Sequence, residues 1–165
     1  GTDKDTVRYR EASTGLTIDM TNAANSTGVA AGDTFANIEK VQGSNYDDII
    51  FLAPGVTGEG WGGDDVIYDN TGAESMNGGA GADTFVFIAG DGFRDQITSF
   101  EEGIDLIDIS AWGASGFGDL TINTVALSNG TQAHVDISYN GDEIRLHKLS
   151  LADAANIDAG EFIFV

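Results

Sequence analysis

The clearest chemical signal in this chain comes from two aspartates, Asp65 and Asp83, which stand 18 positions apart. Each ends a glycine-rich stretch and precedes a short apolar run. Residues 78–86 fit the nine-residue pattern G-G-x-G-x-D-x-U-x at every specified position, where U is a large apolar residue. Residues 60–68 keep glycine at the first and fourth positions, Asp65 at the sixth and Ile67 at the eighth. Carboxylates that recur at a fixed period are candidates to share bound cations.

Two weaker copies of this pattern lie nearby, at residues 69–77 and 43–51. Both keep an acid at the sixth position and a large apolar residue at the eighth, namely Glu74 with Met76 and Asp48 with Ile50. The step from the copy at 43–51 to the copy that contains Asp65 is one position shorter than the step from there to the copy at 78–86. This shorter step predicts an irregular turn around residues 53–55.

The nine-residue period predicts stacked coils, each built from two copies of the pattern. In each copy the first six residues form a turn and the last three form a short strand. Turns that are two copies apart then stack on the same side, so Asp65 and Asp83 lie in adjacent turns. The eighth-position side chains point inward, which predicts a core stack of Ile50, Ile67, Met76 and Phe85.

Calcium is the cation that these turns are expected to bind. The ligands on offer are carboxylate and backbone carbonyl oxygens, and calcium accepts six to eight oxygens in flexible geometry. Magnesium fits less well, because it keeps several waters and avoids cages made only of protein. Zinc prefers Cys or His; the chain has no cysteine, and neither histidine lies in the repeats.

The repeats resemble those of the RTX family of secreted bacterial proteins, and the similarity extends to both flanks. Upstream, residues 5–7 and 15–20 resemble a strand pair that precedes such repeats; downstream, residues 95–100 and 103–110 resemble the segment that follows them. The resemblance implies an all-β fold, a calcium-binding parallel β-roll (a right-handed β-helix) with a C-terminal antiparallel β cap. We expect one elongated domain with N-terminal strands at 1–42, the RTX roll at 43–95, and the cap with a secretion signal at 96–165.

The resemblance also implies which atoms hold the ions. The earlier of two stacked turns supplies two carbonyls and its aspartate, and the later turn does the same. For the first site these residues are Trp61, Gly63, Asp65, Gly78, Ala80 and Asp83. For a second site on the same side they are Ser44, Tyr46, Asp48, Gly60, Gly62 and Asp65. On the opposite side Glu74 replaces the usual aspartate, no good partner stands two copies further on, and Asp95 is the candidate partner.

The last third of the chain predicts antiparallel hairpins. Asn129-Gly130 and Asn140-Gly141 are strong signals for two-residue turns in which both residues have positive φ. A turn at Asn140-Gly141 places Ile137 opposite Ile144 and Val135 opposite Leu146 on one apolar face. On the other face it pairs Asp136 with Arg145, Ser138 with Glu143, and His134 with His147. Residues 151–156 predict a short helical turn, and residues 161–165 a final strand.

Composition and motifs exclude several function classes. The net charge of −20, from 27 acids and 7 bases, argues against nucleic acid as a partner, since phosphate binding needs Lys and Arg. No run of 18 apolar residues exists, so we expect no membrane insertion. Residues 58–63 satisfy G-x-G-x-x-G, but two acids and a strand follow instead of the helix that a dinucleotide requires. No H-E-x-x-H or G-x-S-x-G motif is present, and the two histidines without a third ligand indicate a solvated pair.

These observations predict a non-catalytic module. RTX proteins leave Gram-negative bacteria through a type I ABC transporter apparatus, directed by an uncleaved C-terminal signal that residues 160–165 resemble. Val165 is therefore expected to be the natural C-terminus, with a passenger upstream. The expected function is to bind calcium outside the cell, fold, and support secretion of that passenger. Three alternatives stay open: an accessory module that binds an extracellular polysaccharide such as alginate, a calcium-stiffened adhesin segment, and a piece of a secreted protease or lipase.

Overall fold

Short strands follow the glycine turns of the repeats, and they set the architecture of the molecule. The computed structural model describes residues 4–165. Within these residues the strands are β1 (Thr6–Arg8), β2 (Thr17–Asp19), β3 (Lys40–Gln42), β4 (Ile49–Phe51), β5 (Thr57–Gly62), β6 (Val66–Tyr68), β7 (Ser75–Ala80), β8 (Thr84–Val86), β9 (Arg94–Ile97), β10 (Leu106–Asp108), β11 (Thr121–Ala126), β12 (Gln132–Tyr139), β13 (Asp142–Ser150) and β14 (Phe162–Ile163). The helix α1 covers Leu151–Asn156, and short 3₁₀ turns lie at Ala23–Asn25, Gly28–Ala30, Ser110–Trp112, Phe117–Asp119 and Ala159–Glu161.

From β1 to β10 successive strands alternate between two sheets, so this part of the fold is a parallel β-roll, as the repeats predict. One sheet has the order β1-β3-β5-β7-β9-β13-β12-β11, and the other has the order β14-β10-β8-β6-β4-β2. From β1 to β10 every pair of neighbours within a sheet is parallel, because the chain passes once through the other sheet between them.

Inward-facing apolar side chains form one column along each sheet. In the six-stranded sheet the register aligns Ile18, Ile50, Ile67, Phe85, Ile107 and Phe162. The predicted core stack is confirmed, since Ile50, Ile67, Met76 and Phe85 are fully buried. Burying each such side chain stabilises the fold by about 1.5–3 kcal/mol. Gly58 leaves a gap in the column of the other sheet, and Leu52 fills it: a Cβ on Gly58 would lie 2.8 Å from Leu52 Cδ2.

The coils differ in length, and the lost or added residues lie in particular turns. Lys40 pairs with Thr57 and Ile49 with Val66, both 17 positions apart, so the missing residue lies in the turn between β4 and β5. This confirms the predicted irregular turn. The next coil keeps the step of 18, from Thr57 to Ser75. Ser75 then pairs with Gln96, a step of 21, because the loop between β8 and β9 is longer.

The predicted C-terminal cap is antiparallel and extends the eight-stranded sheet through β13, which pairs in parallel with β9. The predicted register is confirmed for Ile137 with Ile144, Val135 with Leu146, Asp136 with Arg145, and Ser138 with Glu143. Asn140 and Gly141 both have positive φ, of 52° and 103°, as a two-residue turn requires.

The first hairpin turn and the histidine pair differ from the prediction. Only Gly130 has positive φ, at 70°, because β11 and β12 are joined by the longer loop 127–131. A bulge between Ala133 and Val135 removes His134 from register with His147. Their ring centroids are 6.5 Å apart, so the two imidazoles are neighbours without being paired residues.

The segment after the cap hairpin covers one end of the six-stranded sheet. Helix α1 confirms the predicted helical turn, and its N-cap Ser150 accepts a hydrogen bond from the Asp153 backbone N–H. Strand β14 then pairs in parallel with β10 at the end of the six-stranded sheet. Among the described residues, no helix has the length and apolar character needed to cross a membrane.

Candidate metal site

The turns of the roll lie along two edges. We define the first edge as the segments 43–48, 60–65, 78–83 and 98–105, of which 60–62 continue β5 and 78–80 continue β7. They lead from the eight-stranded sheet to the six-stranded sheet. The second edge consists of the turns at 52–56, 69–74 and 87–93, which lead back. Carboxylates project into both edges, and the two edges differ in how those carboxylates are held.

The first edge carries a continuous ladder of aspartates that joins each coil to the next. Asp83 Oδ1 accepts the backbone N–H of Asp65 at 2.9 Å, and Asp65 Oδ1 accepts that of Asp48 at 2.8 Å. Asp48 Oδ1 accepts the N–H of Leu16 at 2.7 Å, and Asp105 Oδ1 accepts the N–H of Asp83 at 3.0 Å. The predicted stacking of these turns is confirmed, and the shorter step before Asp65 does not interrupt it.

The second oxygens of these carboxylates distinguish the middle of the ladder from its ends. Asp48 Oδ2 accepts the Ser44 N–H at 2.5 Å, and Asp105 Oδ2 accepts the Glu101 N–H at 2.8 Å. Asp65 Oδ2 and Asp83 Oδ2 are buried and have no hydrogen-bond partner among the described residues. A buried anionic oxygen without a donor is costly, and a bound cation removes that cost.

Glycines create the space around these oxygens. A Cβ on Gly60 would overlap with Asp65 Oδ2 and lie 2.6 Å from the carbonyl oxygen of Gly78. A Cβ on Gly78 would overlap with Asp83 Oδ2. The glycines therefore allow a carboxylate oxygen and a carbonyl oxygen of the next coil to approach one point. Such a cradle of oxygens fits a calcium ion.

The remaining predicted ligands of the first site lie in the same two turns. The carbonyl oxygens of Trp61 and Gly63 point at the next coil, where Cβ atoms on Gly79 and Gly81 would overlap with them. Those two glycines have φ of 113° and 136°, which side chains rarely tolerate. The Ala80 carbonyl accepts the Gly63 N–H at 3.1 Å, so it retains one lone pair for an ion.

The residues of the second predicted site are also brought together, with more internal hydrogen bonds. A Cβ on Gly43 would overlap with Asp48 Oδ2 and lie 2.8 Å from the Gly60 carbonyl oxygen. Ser44 Oγ donates to Asp48 Oδ1 at 3.0 Å and lies 3.2 Å from the Tyr46 carbonyl oxygen. Gly62 lies in β5, with the Ala80 carbonyl oxygen 3.9 Å from where its Cβ would be.

Burial and mutual repulsion disfavour the charged form of the ladder when no ion is bound. Burial raises the pKa of Asp65 from its ordinary 3.8 to about 8, and the charges of Asp83 and Asp48 add to the rise. Burial also raises the pKa of Asp83 and of Asp48, and raises that of Asp105 to about 6. At neutral pH the metal-free turns therefore favour the protonated form of Asp65.

On the second edge the structure brings Glu74 and Asp95 together. Asp95 Oδ1 accepts the Glu74 N–H at 2.9 Å, and Gly55 donates its N–H to Glu74 Oε1 at 2.5 Å. The two residues stand 21 positions apart, so the longer loop hides this pairing from a search at the period of the repeats. Glu74 Oε2 is buried without a partner in the described part of the chain. Burial raises the pKa of Asp95 to about 8.

Sequence reasoning missed Asp105, Asp69 and Asp91. Asp105 was recoverable, because Asp105-Leu106-Ile107 repeats the sixth to eighth positions of the pattern at the strand β10. Asp69 occupies the first position of a repeat, where the pattern has glycine, and Asp91 lies in the lengthened loop. No periodic signal marks these last two.

A parallel β-roll with stacked, carboxylate-bearing glycine turns defines the class of calcium-binding β-roll domains. Within that class, the chain belongs to the family described as peptidase M10 serralysin C terminal, whose model matches residues 10–163. This confirms the RTX resemblance. The family is a calcium-binding one, and its members are parts of secreted proteins.

A solved structure shares the fold. The AlgE6R3 subunit of the mannuronan C5-epimerase from Azotobacter vinelandii is 25% identical with a TM-score of 0.54, over 76% of this chain and 77% of that one. The AlgE6R2 subunit of the same enzyme is 21% identical with a TM-score of 0.44, over 98% and 92%. No curated protein matches the chain.

Proposed function

We propose that this chain is a non-catalytic module of a secreted protein that folds fully only when calcium binds along its first edge. The observation that carries the proposal is the pair of buried, unpartnered oxygens, Asp65 Oδ2 and Asp83 Oδ2. Both point into turns whose other available ligands are carbonyl oxygens. An oxygen-only site with two carboxylates suits calcium better than magnesium or zinc.

Two ions occupy this edge in the proposal. The first lies between the turns of Asp65 and Asp83, with carbonyl ligands from Trp61, Gly63, Gly78 and Ala80. The second lies between the turns of Asp48 and Asp65, with carbonyl ligands from Ser44, Tyr46, Gly60 and Gly62. The first site is the stronger one, because Asp65 Oδ2 and Asp83 Oδ2 have no hydrogen-bond partner. In the second site, Asp48 Oδ2 already accepts a backbone N–H.

Calcium binding is then linked to folding, because the unfolded chain contains no assembled site. One site stabilises the folded state by RT ln(1 + [L]/Kd), which is about 2.7 kcal/mol at 100 times the Kd. Where calcium is scarce, the buried carboxylates keep their repulsion, which the net charge of −20 increases. Where calcium is about millimolar, the concentration that extracellular modules require, the ions bind and the stacked turns become ordered.

An isosteric pair of variants tests the site. Asp65→Asn keeps the oxygen that accepts the Asp48 N–H and replaces the unpartnered oxygen with an amide nitrogen. Asp64→Asn removes the same charge from a neighbour outside the ladder and keeps the oxygen that accepts the Ala82 N–H. We expect Asp65→Asn to weaken calcium binding more than tenfold, and Asp64→Asn to change it less than about twofold, by calorimetric titration.

Circular dichroism gives the folding readout. Calcium is expected to produce a cooperative gain of β signal that magnesium does not produce, and Asp83→Ala should weaken that response markedly. In chelator, Asp65→Asn should melt at or above the wild-type temperature, because the amide carries no charge to repel Asp83 and Asp48. The proposal fails if chelated and calcium-saturated protein are equally ordered. It also fails if Asp65→Asn binds calcium as tightly as wild type and Asp64→Asn do.

The biological role proposed for this switch is support of type I secretion and of folding of an upstream passenger. Export through the ABC transporter apparatus of a Gram-negative bacterium delivers a loose chain to calcium outside the cell. The test is a passenger enzyme fused upstream and exported with wild type or Asp65→Asn. Equal export with less folded passenger for the variant is expected; equal amounts of folded passenger for both would contradict the role.

Polysaccharide binding is the second candidate, and one surface favours it. A shallow cavity of about 340 Å³ on the outer face of the eight-stranded sheet is lined by Glu59, Trp61, Asn77 and Gly79. Arg10 lies over the Trp61 ring, 3.5 Å from its centroid, so a sugar would have to stack beside the guanidinium or displace it. Binding to an alginate gel, compared between wild type and Trp61→Ala, tests this candidate.

A further inference from the structure

The outward-facing side chains of the six-stranded sheet form an apolar surface. In β4, β6, β8 and β10 the middle residue is buried in the core, so the first and third residues point away from it. The register aligns these outward residues in two rows, which are Ile49, Val66, Thr84 and Leu106, and Phe51, Tyr68, Val86 and Asp108. We call these eight residues the apolar face, because all but Thr84 and Asp108 are aliphatic or aromatic.

An aromatic pair and exposed aliphatic side chains make this face suitable for docking. Phe51 and Tyr68 stack with their ring centroids 4.4 Å apart and 15° between the ring planes. Ile49 is 40% exposed, and the exposed Ile163 extends the face where β14 pairs with β10. Contiguous exposed apolar side chains mark interaction surfaces, and aromatic residues are enriched where partners dock.

The size and shape of the face indicate what covers it. Its strands β4, β6, β8, β10 and β14 are neighbours about 4.8 Å apart, and each extends over about five residues, so the face measures roughly 20 by 15 Å. One α-helix, about 10–12 Å across, covers such a strip along its length. Peptide strands add to the edges of sheets, whereas helices pack on their faces. A helix is therefore the best-fitting occupant.

The distribution of basic residues indicates the charge of that helix. None of the described strands of the six-stranded sheet contains Lys or Arg. All seven bases of the chain lie in or beside the eight-stranded sheet, namely Arg8, Lys40, Arg94, Arg145 and Lys148 in its strands, Lys4 before β1, and Arg10 over the ring of Trp61. The apolar face therefore has acids at its border and no base of its own to neutralise them.

Two of these border acids are exposed and held in fixed positions. Asp47 and Asp64 stand two positions before Ile49 and Val66. Asp47 Oδ1 accepts the Asp64 N–H at 2.8 Å, and Asp64 Oδ1 accepts the Ala82 N–H at 2.9 Å. Neither acid forms an ion pair with a described base, since the ion pairs found join strands of the eight-stranded sheet.

We propose that the apolar face docks a basic amphipathic helix of a partner protein. The apolar stripe of the helix packs on Val66, Tyr68 and Leu106, and Lys or Arg on its flanks reach Asp47 and Asp64. A second copy of this chain is a poor occupant, because each copy carries a net charge of −20 and the two would repel. The proposal goes beyond the calcium-dependent folding proposed above, since it requires only the folded roll.

A pair of synthetic helical peptides tests the charge of the occupant. One peptide of about 18 residues has a Leu stripe flanked by Lys, and its twin has Glu at every Lys position. Fluorescence anisotropy of labelled peptide is measured with full-length protein in saturating calcium. We expect the Lys peptide to bind, more weakly as salt is raised, and the Glu twin to bind at least tenfold more weakly.

Variants of the protein locate the binding surface. Tyr68→Thr removes a ring from the apolar face, and Val66→Thr changes polarity at nearly constant shape; Thr84 shows that the face accommodates threonine. We expect the Lys peptide to bind more than fivefold more weakly to Tyr68→Thr and about threefold more weakly to Val66→Thr. Val125→Thr, on the exposed strand β11 of the other sheet, is the control and should match wild type. Calcium affinity should be unchanged in all three, which separates this proposal from the metal sites.

The border acids are tested with a charge-matched pair. Asp64→Asn keeps the oxygen that accepts the Ala82 N–H and should weaken binding of the Lys peptide about threefold. Asp153→Asn, in helix α1 and away from the apolar face, removes the same charge and should have no effect. Equal binding of the two peptides, or equal losses in Tyr68→Thr and Val125→Thr, would overturn the proposal. Light scattering that shows a dimer of wild type, lost in Tyr68→Thr, would overturn it in favour of a second copy.

Discussion

The two edges of this roll bring carboxylates together by different means. On the first edge, Asp48, Asp65 and Asp83 occupy the same position of three six-residue segments, and each carboxylate accepts a backbone N–H from the preceding coil. On the second edge the turns have five, six and seven residues, and the acids that meet come from unlike positions. Regular repetition therefore builds the first edge, and changes in turn length build the second.

The comparison teaches that a periodic backbone fixes where an oxygen ligand lies, whereas an irregular one can only bring side chains near each other. The ligands proposed for the first edge are mostly carbonyl oxygens, which follow the backbone without conformational freedom. The second edge offers side-chain carboxylates, whose rotamers adjust to the space available. We therefore expect the first edge to determine whether the roll folds, and the second edge to determine how the cap is held.

Removal of calcium should have the largest effect. Two first-edge sites at 100-fold excess over Kd contribute about 5 kcal/mol, and for a domain of this size each kcal/mol corresponds to about 2–4 °C in Tm. A chelator should therefore lower the Tm by about 10–20 °C in differential scanning calorimetry. Hydrogen exchange in chelator should rise first in the 60–65 and 78–83 turns. Equal rises in hydrogen exchange on both edges would contradict the expected difference between the edges.

Filling the glycine cradle should have the next largest effect. Gly60→Ala places a methyl group against Asp65 Oδ2 and 2.6 Å from the Gly78 carbonyl oxygen, where it would block the proposed calcium site. We expect calcium affinity to fall more than tenfold by calorimetric titration. Gly118→Ala is the control outside both edges, since no atom lies within 4 Å of where its Cβ would be. Similar losses in both variants would indicate a general backbone effect.

The pH dependence of stability should change sign with calcium. Asp65 has an unfolded pKa near 3.8 and a folded, metal-free pKa of about 8. The folded state then binds more protons than the unfolded state between these values, so metal-free stability is lost as pH rises from about 4 to 8. With calcium the carboxylates must be ionised, so stability rises over the same range. Thermal melts from pH 4.5 to 8 with calcium or with chelator measure both slopes.

Variants separate the contributions of the two edges to this slope. Asp65→Asn removes the titrating group of the first edge, and Asp69→Asn removes one whose pKa is raised to about 7 on the second. Each variant should reduce the dependence of metal-free stability on pH, and Asp65→Asn should do so over the wider pH range. A metal-free melting temperature that rises with pH between 5 and 8 would contradict the burial argument for both edges.

The sequence was sufficient to predict the roll, its core stack and the hairpin register. The roll and its core stack depend on the doubled nonapeptide, which places Asp65 and Asp83 in stacked turns. The hairpin register depends on the simple alternation that includes Val135 and Ile137. Both periods can be recognised in the sequence alone. The shorter step before Asp65 could also be assigned to a turn, because the apolar positions on either side kept their pattern.

The spacing of Glu74 with Asp95 and of Asp83 with Asp105 could not be predicted from the period of the repeats. Asp95 stands 21 positions from Glu74, and Asp105 stands 22 from Asp83, because added loop residues shift the count without changing the stacking. Asp91 belongs to such a loop and has no counterpart in another coil. The bulge at Ala133 similarly moved His134 out of a register that its neighbours obey.

Asp142→Asn should have the smallest effect and is the sharpest test of independence between the edges. The amide oxygen still accepts the Gly90 N–H, so only one of two bonds and one charge are lost. We expect a loss of less than about 1 kcal/mol, or about 2–4 °C in Tm, in calcium, with faster exchange confined to 87–95. First-edge calcium affinity should stay within about twofold of the Asp153→Asn control. A tenfold fall in that affinity would mean that the cap stabilises the whole ladder of aspartates, and that the two edges form one cooperative unit.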